Sequence, residues 1–208
     1  MGLTFARGLR ALLRQDPDVI LVGEIRDGDT AEIAVRSALT GHLVLSTLHT
    51  NDASGAIPRL IDMKIEPFLL SSAMVGVVAQ RLVRRVCEKC RAPVKPPAEL
   101  LSELGIARGQ GEFFHGAGCA ACGGTGYHGR VGIFEVLEVN EKVRDMISAR
   151  ASAEDMARAI RGAGMGSLRE DAIRKATEGR TTLEEAMRIT NPDAAALDAG
   201  PVPLPYAP

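Results

Sequence analysis

The stretch DVILVGEIRD, residues 18–27, is an apolar run that stops at a carboxylate, with Glu24 closely followed by Arg26 and Asp27. An acid in that place either closes an ordinary surface turn or is aimed at a ligand. A second apolar run, Leu43–Leu48, ends at His49. If both runs are strands of one parallel sheet, Glu24 and His49 fall at the carboxyl ends, the rim outside which open α/β sheets bind ligands. Two chemically useful side chains converging there favour the ligand over the turn. His42 precedes the second run, and seven residues at about 3.3 Å each put it roughly 23 Å from His49, at the opposite edge.

The other chemistry-bearing set is cysteine. Cys87-x-x-Cys90 and Cys119-x-x-Cys122 are separated by 28 residues, and each short spacing lets one turn present two sulfurs to one ion. Four thiolates suit tetrahedral Zn²⁺ and leave no open position for substrate, which makes the site structural. Gly123, Gly124 and Gly126 let backbone N–H groups approach the sulfurs and offset their charge. A disulfide pair, disfavoured in a reducing cytoplasm, and an Fe–S cluster are the competing readings. Arg84, Arg85, Lys89 and Arg91 bracket the first pair, as a docking surface for an acidic partner or as a solvated rim.

These side chains need a scaffold. A helix is predicted over residues 3–15, with Arg7, Arg10 and Arg14 on one face, ending before Asp16-Pro17. Val19–Val22 reads as a strand covered on both faces. Asp29-Thr30 can cap a helix running to about Leu39, and Leu43–Leu48 is the next strand. Helix, strand, helix, strand implies an α/β layer fold with a parallel sheet. Helices over Ala53–Met63 and Glu66–Arg85 follow, the second opened by Pro67. From residue 87 to 136 the chain is rich in Gly and Cys, with a helix near Pro97–Leu104 and a strand over Val131–Val139. Short amphipathic helices fill Glu141–Ile189, and Thr190–Pro208 reads as a disordered tail. The segments are therefore 1–86, 87–136, 137–190 and 191–208.

At 208 residues and 46% hydrophobic content the chain can pack one large or two small domains. Lys plus Arg is 25 against 26 for Asp plus Glu, a net charge of −1 that supplies no field for nucleic acid or an anionic membrane. Pro67–Ala79, the longest apolar-leaning stretch, is short for a bilayer and contains Ser71 and Ser72. The amino terminus has no signal-peptide pattern, so a cytoplasmic location is expected.

GLTFARGLRALLRQDPDVILVGEIRD, TGHLVLSTLHTNDA and AQRLVRRVCEKC together resemble the hexameric ATPases of type II secretion and type IV pilus assembly, the GspE and PilB type, from about Gly2 to Ile189. The resemblance implies a partial RecA-like core over 1–86, a tetracysteine zinc module over 87–136 and a small helical region over 137–190. It makes ILVGEIRD the Walker B segment, with Glu24 polarising the attacking water near Mg²⁺ and ATP. TGHLVLSTLH becomes the His box, in which His49 senses the γ-phosphate and His42 is the more structural partner. Arg10 and Arg26 are candidates for contact with the phosphates. The implied partners are five further copies in a homo-hexamer, an inner-membrane platform and other secretion or pilus components, with the motor cytoplasmic and peripheral to the inner membrane. No G-x-x-x-x-G-K-[S/T] cradle occurs in the sequence. The chain is therefore expected to be the carboxyl-terminal portion of a motor, weak in ATP binding and hydrolysis by itself. The alternative is a non-catalytic fragment whose working part is the zinc-stapled module. A DNA-translocating relative is disfavoured by the near-neutral charge and the cysteines.

Overall fold

The computed structural model describes residues 4–107, 109–162 and 164–190; the expected tail lies outside them. The described residues form two compact units built from interleaved segments, the first from within 4–79 and 135–166, the second from within 80–134 and 167–190.

In the first unit, α1 (Phe5–Leu12) opens on Thr4, whose hydroxyl accepts the Arg7 N–H, and tightens into a 3-10 turn at Leu13–Gln15. Strand β1 (Val19–Val22) follows, then α2 (Gly28–Leu39) and β2 (Leu43–Ser46). The strands pair in parallel, Val19 opposite Leu43 and Val22 opposite Ser46, as the alternation of elements requires. The cap of α2 is Asp27 rather than Asp29-Thr30. Its carboxylate accepts the Thr30 N–H at 2.8 Å, satisfying one of the four orphan donors at a helix start and complementing the helix dipole.

Ile20 and Val22 are buried with Leu9, Ile57, Leu70 and Ile147 in one apolar core. Val19 and Leu21 are 56% and 72% exposed. The expected cover on both faces of β1 is thus present on one face only among the described residues. An unbroken apolar run cannot show which of its alternate side chains is covered here.

Helix α3 spans Ala56–Asp62, with Pro58 in its first turn where the missing N–H costs nothing. The helix expected over 66–85 is corrected. Helix α4 stops at Ala73 (Pro67–Ala73), and β3 (Gly76–Val86) begins after it. Gly76, Val77 and Val78 explain the break, because glycine and β-branched residues disfavour helix and the branched ones suit a pleated ladder. The partner is β6 (Tyr127–Glu138). The Val139 N–H donates to the Val75 carbonyl and the Cys87 N–H to the Gly126 carbonyl, so the two strands run antiparallel. Helices α6 (Glu141–Ser148) and α7 (Ala153–Gly162) complete the first unit with Val143, Ile147, Met156 and Ile160 in the core.

In the second unit, β4 (Arg91–Pro93) pairs antiparallel with β5 (Phe114–Gly116), and α5 (Ala98–Glu103) lies between them in sequence. Helix α8 (Leu168–Thr177) starts with a reciprocal Ser167–Glu170 capping box, and α9 (Leu183–Thr190) follows. No helix among the described residues is long and apolar enough to cross a membrane.

Candidate functional site

Glu24 stands two residues past the end of β1 and His49 three residues past the end of β2. Parallel pairing puts both on one rim, and the structure brings them together, His49 Nε2 lying 3.3 Å from Glu24 Oε2. Arg26 Nη2 lies 2.5 Å from the other carboxylate oxygen. The loops are held in register by Thr47. Its hydroxyl donates to the Gly23 carbonyl at 2.6 Å, and its own carbonyl accepts the Ile25 N–H at 3.0 Å. The peptide units on either side of Glu24 are therefore both tied to a residue two places before His49.

The Glu24 carboxyl is held below the usual carboxylate range by the Arg26 guanidinium first; burial pushes the other way, and His49 adds to the lowering. It is an anion at neutral pH, able to accept a hydrogen bond from water or to face a cation. Glu24 is 22% exposed and His49 87%, so the pair opens to solvent. Arg10 lies exposed on α1. His42 turns its Nδ1 to the Ser37 carbonyl at 3.0 Å, near the end of α2 and ahead of β2. The structure does not bring it to the Glu24 rim.

The four cysteine sulfurs in the second unit all lie within 4.8 Å of one another. Separations of 3.9 Å for Cys87–Cys119, 3.8 Å for Cys90–Cys122 and 3.8 Å for Cys119–Cys122 match the ~3.8 Å edge of a tetrahedron with metal–sulfur bonds of ~2.3 Å. A disulfide needs sulfurs about 2.05 Å apart, and all four cysteines are free. The donor set fits a tetrahedral divalent ion.

Burial alone would raise the Cys122 thiol, but the Cys119 and Gly126 N–H groups hold it down to about 6. Burial pushes Cys90 up to about 12 against a hydrogen bond from the Gly118 N–H. Without a cation the cluster thus resists holding several thiolates together; a divalent ion removes that penalty. Of the three glycines singled out in sequence, Gly126 reaches a sulfur, donating to Cys122 Sγ at 3.3 Å. Gly124 instead donates to the Cys119 carbonyl. Gly126 also has φ +74°, and a Cβ on Gly116 would sit 2.0 Å from its carbonyl oxygen, a backbone approach no larger residue permits.

Three of the four bracketing bases are engaged. Arg84 donates from its Nε and Nη2 to Glu185 and lies 4.2 Å from the Tyr127 ring centroid, Arg91 stacks on Phe114, and Arg85 pairs with Glu88. Glu185, with a side chain 0% exposed, also accepts from Arg188 and from the Arg84 N–H. Sequence reading missed Glu185 and Thr47. Thr47 could have been found as the hydroxyl two places before His49, whereas Glu185 has no signal in a helix of ordinary composition.

Comparison with known proteins supplies the family. A family profile described as "Type II/IV secretion system protein" matches residues 1–188. The chain belongs to that family. This Type II/IV secretion family chain is 55% identical to the type IV pilus assembly ATPase PilB of Thermus thermophilus, over 91% of its own length and 22% of that protein. It is 53% identical to the type II secretion system protein E of Pseudomonas aeruginosa, over 91% of itself and 38% of that protein. It therefore spans well under half of these relatives. Among solved structures, the pilus retraction motor PilT with bound ADP superposes with a TM-score of 0.64 at 29% identity, over 91% of this chain and 45% of that one. The Legionella pneumophila ATPase DotB gives 0.63 at 24% identity, over 89% and 42%, a likeness of fold alone. The family resemblance and the α/β, RecA-like fold read from the sequence are both borne out.

Proposed function

We propose that this chain is the acid- and histidine-bearing part of an ATP-hydrolysing motor subunit of type II protein secretion or type IV pilus assembly. Glu24, ionised at neutral pH, orients the water that attacks the γ-phosphorus and takes a proton from it, while the bond from that phosphorus to the β–γ bridging oxygen breaks and ADP leaves. His49, exposed and within reach of that carboxylate, contacts the phosphate and reports its presence. Arg26 holds one Glu24 oxygen and so fixes which oxygen faces the water; Arg10 adds positive charge from α1, and His42 serves as scaffold. Mg²⁺ bound with ATP would neutralise the phosphate charge. The cradle for the phosphates comes from a segment other than residues 4–190.

In the same proposal residues 1–86 belong to the ATPase core, 87–136 form the zinc module and 137–190 a helical region. The motor is a cytoplasmic homo-hexamer at the inner-membrane platform. The single observation that carries the reading is the 3.3 Å approach of His49 to Glu24 at the carboxyl rim of parallel strands, in a chain whose relatives are named ATPases. In the full-length protein, Glu24→Gln should keep nucleotide affinity and lower turnover by about 10²–10⁴-fold. Unchanged turnover rejects Glu24 as the catalytic carboxylate.

The closed cysteine cluster favours a second reading, a non-catalytic interaction module stapled by zinc. A full-length protein that holds zinc, folds and binds no nucleotide would establish it over the motor.

A further inference from the structure

The loop that carries His49 runs on through residues 50–55 before α3 begins. Inside it, the Thr50 hydroxyl donates to the Asp52 carbonyl, and the Asp52 carboxylate accepts from the Ser54 hydroxyl and the Gly55 N–H. These are local bonds, and they give the loop a shape without fixing its place. Another bond comes from far along the chain. Glu135 on β6, 8% exposed, accepts the Ala53 N–H at 2.9 Å across 82 residues of sequence. Ala53 is itself fully buried, so its N–H has no access to water and depends on a protein acceptor.

Glu135 follows directly on Phe134, whose N–H donates to Asp171 in the second unit. A buried carboxylate is costly unless it is hydrogen-bonded, so the bond to Ala53 stabilises both groups, and a strand is a stiffer mount than a loop.

We propose that Glu135 is a positioning residue for the nucleotide-facing rim. It pins the loop at Ala53 so that His49 is presented to Glu24. The inference rests on the ATPase reading for its functional part, while its geometric part stands without it.

The test uses the full-length, zinc-loaded protein. Glu135→Ala should speed hydrogen exchange at the Ala53 amide by about 5- to 150-fold, the range for a buried donor left unpaired. It should lower kcat by about tenfold, with nucleotide Kd changed less than about threefold, the split expected when geometry rather than binding is lost. Glu135→Gln, which keeps an acceptor oxygen, should restore slow exchange and most of the turnover. Unchanged Ala53 exchange in Glu135→Ala overturns the pin. So does a Gln variant that exchanges slowly yet turns over as poorly as the Ala variant. If Glu24→Gln leaves turnover intact, the ATPase reading fails, and the Ala53 exchange still decides whether Glu135 holds the loop.

Discussion

The Glu24 rim and the cysteine cluster are built on opposite plans. At the rim, a carboxylate 22% exposed meets an imidazole 87% exposed, and one Arg26 contact and one His49 contact hold it. At the cluster, four sulfurs face one another, with backbone N–H groups aimed at two of them. In the same unit the Glu185 carboxylate is fully buried between Arg84 and Arg188. In the proposed reading the rim stays open and lightly held because each contact made in advance is one the nucleotide cannot make. Groups that hold a fold together are closed and fully paired.

The comparison breaks first, if at all, at the cysteines. Structural zinc contributes on the order of 10 kcal/mol to the folding of small metal modules. Cys87→Ser or Cys122→Ser should therefore take the metal content from about one zinc per chain to none and remove the regular structure of β4, β5 and the turn between Cys119 and Cys122. Elemental analysis and circular dichroism read both. A folded protein without metal refutes the assignment.

Next comes Glu185. Glu185→Ala removes the buried acceptor shared by two guanidinium groups that are 45% and 30% exposed and should cost about 1–3 kcal/mol in urea denaturation while zinc is retained. Burial would raise the Glu185 carboxyl, yet Arg188 and Arg84 bring it down to about 2 from 4.5. A depressed carboxyl stabilises the fold above its unfolded value, and that contribution fades as pH falls from about 4.5 toward 2. Glu185→Gln should flatten this acid limb; an unchanged limb assigns the acid sensitivity elsewhere.

Thr47→Val removes the hydroxyl that donates to the Gly23 carbonyl and should cost about 1 kcal/mol. The smallest stability effect belongs to His49→Ala, within about 0.5 kcal/mol of wild type, since that ring is mostly in water. If His49→Ala destabilises as much as Glu185→Ala, the open site is not lightly held and the contrast collapses.

Much of the rim was legible from the sequence because it depends on local order. An apolar run followed at once by an acid, and a second run leading to a histidine, suffice to place both on one edge once the strands are parallel. The cysteine spacing is legible for the same reason. The misread helix over 66–85 shows the limit: Val77 and Ala79 at alternate positions fit a strand, but nothing nearby names the partner, which lies at residues 127–138. Glu185 and Glu135 were invisible because Arg84 and Ala53, which they bind, are 101 and 82 residues away, and a glutamate on a helix or strand, even one with an arginine three residues on, looks like a solvated one. The interleaving of the two units escaped for that reason too.

The most direct test of the open site is where a nucleotide-bound metal sits. With Mn²⁺ and a non-hydrolysable ATP analogue added to the full-length, zinc-loaded protein, methyl NMR signals can be read at Ile25 and Leu48 beside the rim. Paramagnetic broadening at both is the expected result. Ile25 and Leu48 signals left sharp by a saturating amount of the analogue would place the nucleotide away from Glu24 and His49 and contradict their role.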